Sequence, residues 1–474
     1  MKKSINIICL VFTFTSSKAV KVDSTSFSGF GKLWIYAKSA QPSNIVIFIS
    51  GDGGWNAGVI DMAKAISSEN TMVVGVDIRR YFAHLRKLNA ACYYPASDFE
   101  NLSKFIQKKY RRSKYINPII IGYSSGATLA YGILAQAPEN TFKGAMGIGF
   151  CPDIEISKPL CKGAGLEIVK RADNKGFDLL PSHLTSPFIA LLGEKDQVCD
   201  PKLVQEFIAK APKCELVLLP KVGHGYSVQK NWMPQFIESF KNLLSYDDEK
   251  KAKFKPSSTQ NTTIVKPKNL DDLPLKVIPA ANPAKSSLVF MISGDGGWTG
   301  FDQELAVHLS KQSFGVVGLD ALQYFWSEKK PDEVAKTIAP ILEYYLAEWN
   351  CKDIILMGYS FGADFMPFLE NRLSPEIKSK VKMIAMLSPD EWADFEIHIS
   401  DMLSILDSED TNSVKTELLK TNCKTLLIFG SEEVPNKFED LPKTHFKHLV
   451  IPGGHHYGNN FEAITTGITQ TLND

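Results

Sequence analysis

The sequence predicts a doubly wound α/β fold, built twice in tandem. Three observations carry that reading. Ile49-Ser50-Gly51-Asp52-Gly53-Gly54-Trp55 recurs as Ile292-Ser293-Gly294-Asp295-Gly296-Gly297-Trp298, and Val73-Val74-Gly75-Val76-Asp77 recurs as Val316-Val317-Gly318-Leu319-Asp320, both displaced by 243 residues. Gly122-Tyr123-Ser124-Ser125-Gly126-Ala127 recurs as Gly358-Tyr359-Ser360-Phe361-Gly362-Ala363, displaced by 236. So long a period marks a duplicated domain rather than a solenoid unit. Within each copy, short β-branched runs alternate with segments of helical period, the pattern of a parallel sheet covered by helices on both faces.

In chain order, residues 1–19 read as a cleavable export signal. Lys2 and Lys3 precede an apolar run from Ile5 to Phe14, and Ser17-Lys18-Ala19 offers a small-x-small cleavage site. The run is shorter than the roughly 18 residues of a spanning helix, so the expectation is a soluble protein delivered to the periplasm. The first copy fills residues 20–244, with buried strands expected at Ile45–Ile49, Met72–Val76, Ile119–Ile121, Ala145–Ile148, Ile189–Leu192 and Leu216–Leu219. Residues 245–272 are rich in Lys, Asp, Ser, Thr and Pro and lack an apolar period, so they read as an exposed linker. The second copy fills 273–474, with strands expected at Leu288–Ile292, Val316–Leu319, Ile354–Met357, Met383–Leu387, Leu426–Phe429 and His448–Ile451.

Composition narrows the function. The 474 residues are 44% hydrophobic and 22% charged, with 53 basic against 52 acidic side chains. A nucleic-acid partner usually needs a clustered basic excess, and none is present. No Cys-x-x-Cys pair suggests zinc, and neither a metal nor a cofactor is expected. Beyond Cys9, seven cysteines remain: Cys92, Cys151, Cys161, Cys199, Cys214, Cys351 and Cys423. In an oxidising compartment some should pair. Cys151 with Cys161 would close a short loop, and Cys351 could meet Cys423 if the strands they precede are neighbours.

Both serine motifs are Gly-x-Ser-x-Gly, each following an apolar strand and opening a helical segment. That context is the one a nucleophile elbow requires. A serine hydroxyl needs a base and an orienting acid, and in α/β-hydrolases these follow in the order Ser, acid, His. Strand ends supply both. In the first copy Gly193-Glu194-Lys195-Asp196 and Gly223-His224 follow Ser124. In the second, Gly430-Ser431-Glu432-Glu433 and Gly453-Gly454-His455-His456 follow Ser360. Serine-to-acid spacing is 72 residues from Ser124 to Asp196 and 73 from Ser360 to Glu433. The alignment favours Glu433 over Glu432 and His455 over His456. The prediction is therefore two tandem α/β-hydrolase domains carrying Ser360, Glu433 and His455, with a second set at Ser124, Asp196 and His224. The glycine-rich loop at Gly294–Gly296, including Asp295, is the expected oxyanion segment, with the amide of Phe361 as the second donor.

These residues resemble the bacterial virulence-protein family named AcvB and VirJ. The most specific marks are Gly358-Tyr359-Ser360-Phe361-Gly362-Ala363-Asp364-Phe365-Met366-Pro367-Phe368, Ala393-Asp394-Phe395-Glu396 and Leu273-Pro274-Leu275, with Gly149-Phe150-Cys151-Pro152-Asp153 and Asn231-Trp232-Met233-Pro234-Gln235 in the first half. The two-domain layout is that of AcvB-like members, whereas VirJ-like members resemble the second copy alone. The resemblance implies a periplasmic enzyme that removes lysine from lysyl-phosphatidylglycerol, with chemistry at Ser360, His455 and either Glu432 or Glu433. It also implies a phospholipid headgroup as substrate at the membrane surface, and links to virulence and to type IV secretion components. An acidic run usual in the family is reduced here to Glu432-Glu433, followed by Val434-Pro435-Asn436. Two other readings stay open: a generic lipase or esterase, and a non-catalytic periplasmic chaperone for secreted cargo. A lysyl substrate carries two ammonium groups. Asp364, where the first copy has Thr128, either meets one of them or bonds a loop amide.

Overall fold

The computed structural model describes residues 20–246, 266–267, 270–282, 287–398, 412–433 and 438–474. The expected export signal at 1–19 and most of the expected linker, residues 247–265, lie outside the described residues.

The first sheet contains β1 (Lys21–Phe27), β2 (Gly31–Ala37), β3 (Asn44–Ile49), β4 (Thr71–Val76), β5 (Ile119–Tyr123) and β6 (Gly144–Ile148). A three-stranded insertion follows, made of β7 (Asp153–Ile154), β8 (Ile168–Lys170) and β9 (Phe177–Leu179). The sheet then resumes with β10 (Phe188–Gly193) and β11 (Cys214–Leu219), in the order β1-β2-β4-β3-β5-β6-β10-β11. The second sheet contains β12 (Leu275–Ile278), β13 (Ser287–Ile292), β14 (Phe314–Leu319), β15 (Ile354–Tyr359), β16 (Val381–Leu387), β17 (Lys424–Gly430) and β18 (Phe446–Ile451), in the order β12-β14-β13-β15-β16-β17-β18. Along the two large sheets every pairing between β4 and β11, and between β14 and β18, is parallel, whereas the small insertion sheet is antiparallel.

Central strands such as β4 and β15 are buried at every residue. Helices cover both faces, so such strands read as unbroken apolar runs. The runs at Leu216–Leu219 and His448–Ile451, also expected to be buried, lie instead in the edge strands β11 and β18, which are partly exposed because one side of each has no neighbouring strand. Chain direction across each sheet reverses between β3 and β5, and between β13 and β15. That reversal leaves a crevice at the strand ends where ligands bind in open α/β sheets. Antiparallel edge strands were not anticipated. In β1 the residues Lys21–Ser24 are all exposed, and β12 has only four residues. Neither carries the apolar run that reveals a buried strand.

Two disulfides correct the expected pairing. Cys161 is joined to Cys92, and Cys151 to Cys199. The ten-residue proximity of Cys151 and Cys161 in sequence was overridden by the insertion, which carries them to different neighbours. Cys351 and Cys423 do not join each other, because the strands they precede, β15 and β17, are not neighbours but are separated by β16. Two apolar layers sandwich each sheet. Tyr115 of the first copy is packed into a layer of the second.

Candidate active site

Backbone geometry presents each serine. Ser124 takes φ 55°, ψ −124° between β5 and the helix Ser125–Gln136, and Ser360 takes φ 51°, ψ −124° between β15 and the helix Phe361–Arg372. Left-handed φ is strained for a residue with a side chain. The flanking glycines let strand and helix close around it. A Cβ on Gly122 would lie 1.9 Å from the carbonyl oxygen of Gly126, and one on Gly358 would lie 2.2 Å from that of Gly362. A Cβ on Gly126 or Gly362 would strike the backbone at the end of β3 or β13.

In the first copy the three predicted side chains form one hydrogen-bonded chain. Ser124 Oγ lies 2.9 Å from His224 Nε2, and His224 Nδ1 lies 2.8 Å from Asp196 Oδ2. The other carboxylate oxygen accepts the backbone N–H groups of Val198 and Cys199, each at 2.9 Å. Asp196's side chain is fully buried and that of His224 is 19% exposed. A carboxylate facing Nδ1 keeps the proton there and leaves Nε2 free to accept the serine proton. Asp196, Cys199 and His224 each place a ligand-type atom within 4.8 Å of the others. The Cys199 sulfur is already bonded to Cys151, so it offers no thiolate to a metal.

In the second copy Glu433, not Glu432, meets the imidazole. His455 Nδ1 lies 2.7 Å from Glu433 Oε1. Glu433 Oε2 accepts from Ser388 Oγ at 2.9 Å and from the Gly430 amide at 2.5 Å. Glu432 instead follows the strand, its amide bonded to the Gly453 carbonyl. Among the described residues no hydrogen bond joins Ser360 to His455, and the His455 side chain is 46% exposed. The second copy thus brings the acid and base together and leaves the serine step open.

The loops after β3 and β13 lie beside the serines. A Cβ on Gly51 would sit 3.0 Å from Ser124 Cβ, and one on Gly294 would sit 3.6 Å from Ser360 Cβ. The amides of Ser125 and Phe361 open their helices, where N–H groups have no intrahelical acceptor. Asp52 accepts a hydrogen bond from Ser125 Oγ at 2.9 Å, whereas Asp295 is exposed. A groove of about 450 Å³ borders His224, walled in part by Lys195, Val198, Lys221 and Trp232.

Four tyrosines of the repeated motifs, to which the sequence assigned no role, brace these sites. Tyr123 OH donates to the carbonyl of His224 at 2.8 Å, and Tyr359 OH to that of His455 at 3.3 Å. Two residues beyond each histidine, Tyr226 OH donates to Leu191 O, while Tyr457 OH shares a 2.5 Å bond with Ser388 Oγ. Burial pushes the phenols of Tyr226, Tyr359 and Tyr457 well up, so they stay protonated donors. The repeated Gly-Tyr-Ser and the tyrosine two positions after each histidine were the available signal. Asp364 is buried, and its Oδ1 accepts the Asp390 amide at 2.6 Å, the loop-amide role. Thr128 does the matching job, its Oγ1 donating to the Cys151 carbonyl at 2.6 Å.

Topology and elbows define two α/β-hydrolase-fold domains. The chain belongs to the VirJ family of bacterial virulence proteins, whose family model matches residues 43–146 and 286–474. The second matched segment contains Ser360, Glu433 and His455; the first contains Ser124 but neither Asp196 nor His224. No curated protein sequence matches the chain. Similar solved structures include the esterase domain of a Rhodothermus marinus protein, at 13% identity over 48% of this chain and 98% of that one, with a TM-score of 0.32. A thermophilic esterase from Thermogutta terrifontis matches at 14% identity over 48% of this chain and 92% of that one, with a TM-score of 0.32. Est1E from Butyrivibrio proteoclasticus matches at 10% identity over 47% and 98%, with a TM-score of 0.30. No described helix is long and apolar enough to cross a membrane.

Proposed function

We propose that this protein is a serine hydrolase of carboxylic esters that releases lysine from lysyl-phosphatidylglycerol in the periplasm. The unbroken chain from Ser124 through His224 to Asp196 carries the hydrolase reading. In it, Ser124 Oγ attacks the ester carbonyl carbon while His224 Nε2 takes the hydroxyl proton. The carbonyl oxygen becomes an oxyanion facing the Ser125 amide and the glycine-rich loop. Collapse breaks the ester bond, and the departing lipid hydroxyl takes the proton from Nε2. Water then repeats the sequence on the acyl-enzyme, giving free lysine and restoring the serine.

Family membership supports the choice of lipid substrate, and so do the carboxylates of Asp52 and Asp295 in the loops beside the serines. The second site has the same elbow and a matching acid–base pair, and it lies wholly in one family-matched segment. Its serine–histidine bond would form with substrate in place, since catalytic hydrogen bonds often tighten only in the complex. The test is lysine release from vesicles containing lysyl-phosphatidylglycerol, with wild type, Ser124→Ala, Ser360→Ala and the double variant. The single variants apportion the activity between the sites. Undiminished release by the double variant would end the serine-hydrolase reading. No release by wild type, with a simple ester still cleaved, would end the lipid assignment alone.

A further inference from the structure

The two copies meet through opposite ends of their sheets. Lys108, Arg112, Tyr115 and Asn140 of the first copy lie just before β5 and β6, at the amino ends of those strands. Their partners in the second copy lie just beyond β13, β14 and β16, at the carboxyl ends where Ser360 also sits. Lys108 Nζ donates to the Trp326 carbonyl and to Glu396 Oε1, both at 2.6 Å, and stands 4.5 Å from the Trp326 ring centroid. Trp326 Nε1 donates to the Arg112 carbonyl at 3.0 Å, and the Tyr115 and Trp326 rings lie 5.1 Å apart. Trp326 is 3% exposed and Tyr115 5%. A buried tryptophan under a cation and a tyrosine, with its polar atoms satisfied, is the kind of anchor that dominates an interface. Separately, Asn140 Nδ2 donates to the Trp298 carbonyl at 3.1 Å.

Both contacts lead to the serine. Trp298 ends the glycine-rich loop whose Gly294 lies against Ser360. Phe325, adjacent to Trp326, packs its ring 5.1 Å from that of Phe361, the residue after Ser360. The two backbone segments that bracket the serine are thus each one short step from a first-domain side chain.

We propose that the first domain is a positioning element of the second site: docked on Trp326 and Trp298, it holds the Phe361 amide and the Gly294–Trp298 loop in register around Ser360. This rests on the reading of Ser360 as a nucleophile. Lys108 and Tyr115 are positioning residues, since neither reaches the reacting atoms. A displacement of 1 Å in such a geometry can cost about a hundredfold in rate, so modest loosening of the dock should be measurable.

The experiment labels the full chain with a fluorophosphonate and follows adducts on the Ser124 and Ser360 peptides of the same molecules. Ser124 serves as the internal control for folding of the first domain. In Lys108→Met and Tyr115→Leu, the Ser360 labelling rate should fall about tenfold or more while the Ser124 rate holds. Lys108→Arg, which keeps the charge and the ring contact, should stay near wild type. Lys108 is partly exposed, so Lys108→Met carries the test if Tyr115→Leu does not fold. An unchanged Ser360 rate in Lys108→Met, a parallel fall at both serines, or a loss in Lys108→Arg equal to that in Lys108→Met overturns the proposal. If wild type labels at Ser124 and not at Ser360, the second-site reading falls with it and the first-site reading stands.

Discussion

Cys199 is tied to the acid Asp196 through the backbone and to the base His224 through space. Its amide donates to Asp196 Oδ1 at 2.9 Å, and its sulfur lies 3.8 Å from the His224 nitrogen that the other carboxylate oxygen holds. Since that sulfur is bonded to Cys151, on the loop after β6, the disulfide clamps the acid loop against the histidine.

Opening this clamp should therefore slow the first site selectively. In Cys151→Ser/Cys199→Ser the fluorophosphonate rate at Ser124 should drop while that at Ser360 holds. Stability should fall by about 2–4 kcal/mol, the usual worth of a bridge closing a loop of this order. Denaturant titration reads the second quantity and peptide mapping the first. A Ser124 rate indifferent to the double substitution would show that the two amide bonds hold Asp196 without the bridge.

Ser124→Ala should abolish first-site labelling and leave the fold intact, because the hydroxyl makes only the bond to His224 among the described residues. Asp196→Asn should be nearly as damaging, at about 10⁴-fold in rate, since an amide there favours the wrong imidazole tautomer. Steady-state hydrolysis of a simple ester in a Ser360→Ala background isolates this site. Substantial turnover by Asp196→Asn would remove Asp196 from the triad role.

Alanine at Gly122 or Gly358 should cost about 3 kcal/mol or more, because the added carbon would strike backbone rather than a yielding side chain. The readout is thermal unfolding, or recovery of soluble protein if the variant does not fold. Wild-type melting in either variant would mean that strand and helix can separate without loss.

Asp302 gives a pH signature. It caps the helix Gly300–Lys311 through Thr299, and burial pushes its carboxyl up to about 7, against 3.8 for the free side chain. Between those values the folded protein keeps a proton that the unfolded chain has released. Stability is therefore lost as pH rises from about 4 to about 7, and the loss is complete above that. At about 1.4 kcal/mol per unit, the effect amounts to a few kcal/mol. Asp302→Asn should melt higher than wild type at pH 8, relative to the two proteins at pH 4. A difference that does not move with pH would assign Asp302 an ordinary ionised state.

Asp364→Asn should weaken cleavage of lysyl lipid and of a neutral ester equally, by the 1.5–3 kcal/mol or so of a charged hydrogen bond. The reason is that Asp364 holds the loop at Asp390. A loss confined to the lysyl substrate would make it an ammonium ligand instead.

The edge strands and the two disulfides escaped the sequence for related reasons. β1 is an exposed ribbon and pairs only with β2, so nothing in its composition demands a sheet. Cysteine pairing follows from which loops the fold brings together, and the insertion at β7–β9 sends Cys161 to Cys92. The bracing tyrosines were present in the repeats, yet a tyrosine near a serine or histidine has no signature until its hydroxyl has a partner.

By itself the sequence determined the duplication, the buried strands and the residues that stand at their ends. Those features are local: a strand buried on both faces must be apolar throughout, and a serine at positive φ between a strand and a helix needs glycine on each side. The repeat alignment favoured Glu433 over Glu432, and the structure places Glu433 against His455. Tertiary structure alone decided that Ser124 is bonded to its histidine while Ser360 is not. It alone set the first domain against the loops around Ser360. Each of these depends on the approach of segments far apart in the chain, to within a few tenths of an ångström, and residue order does not encode such distances locally.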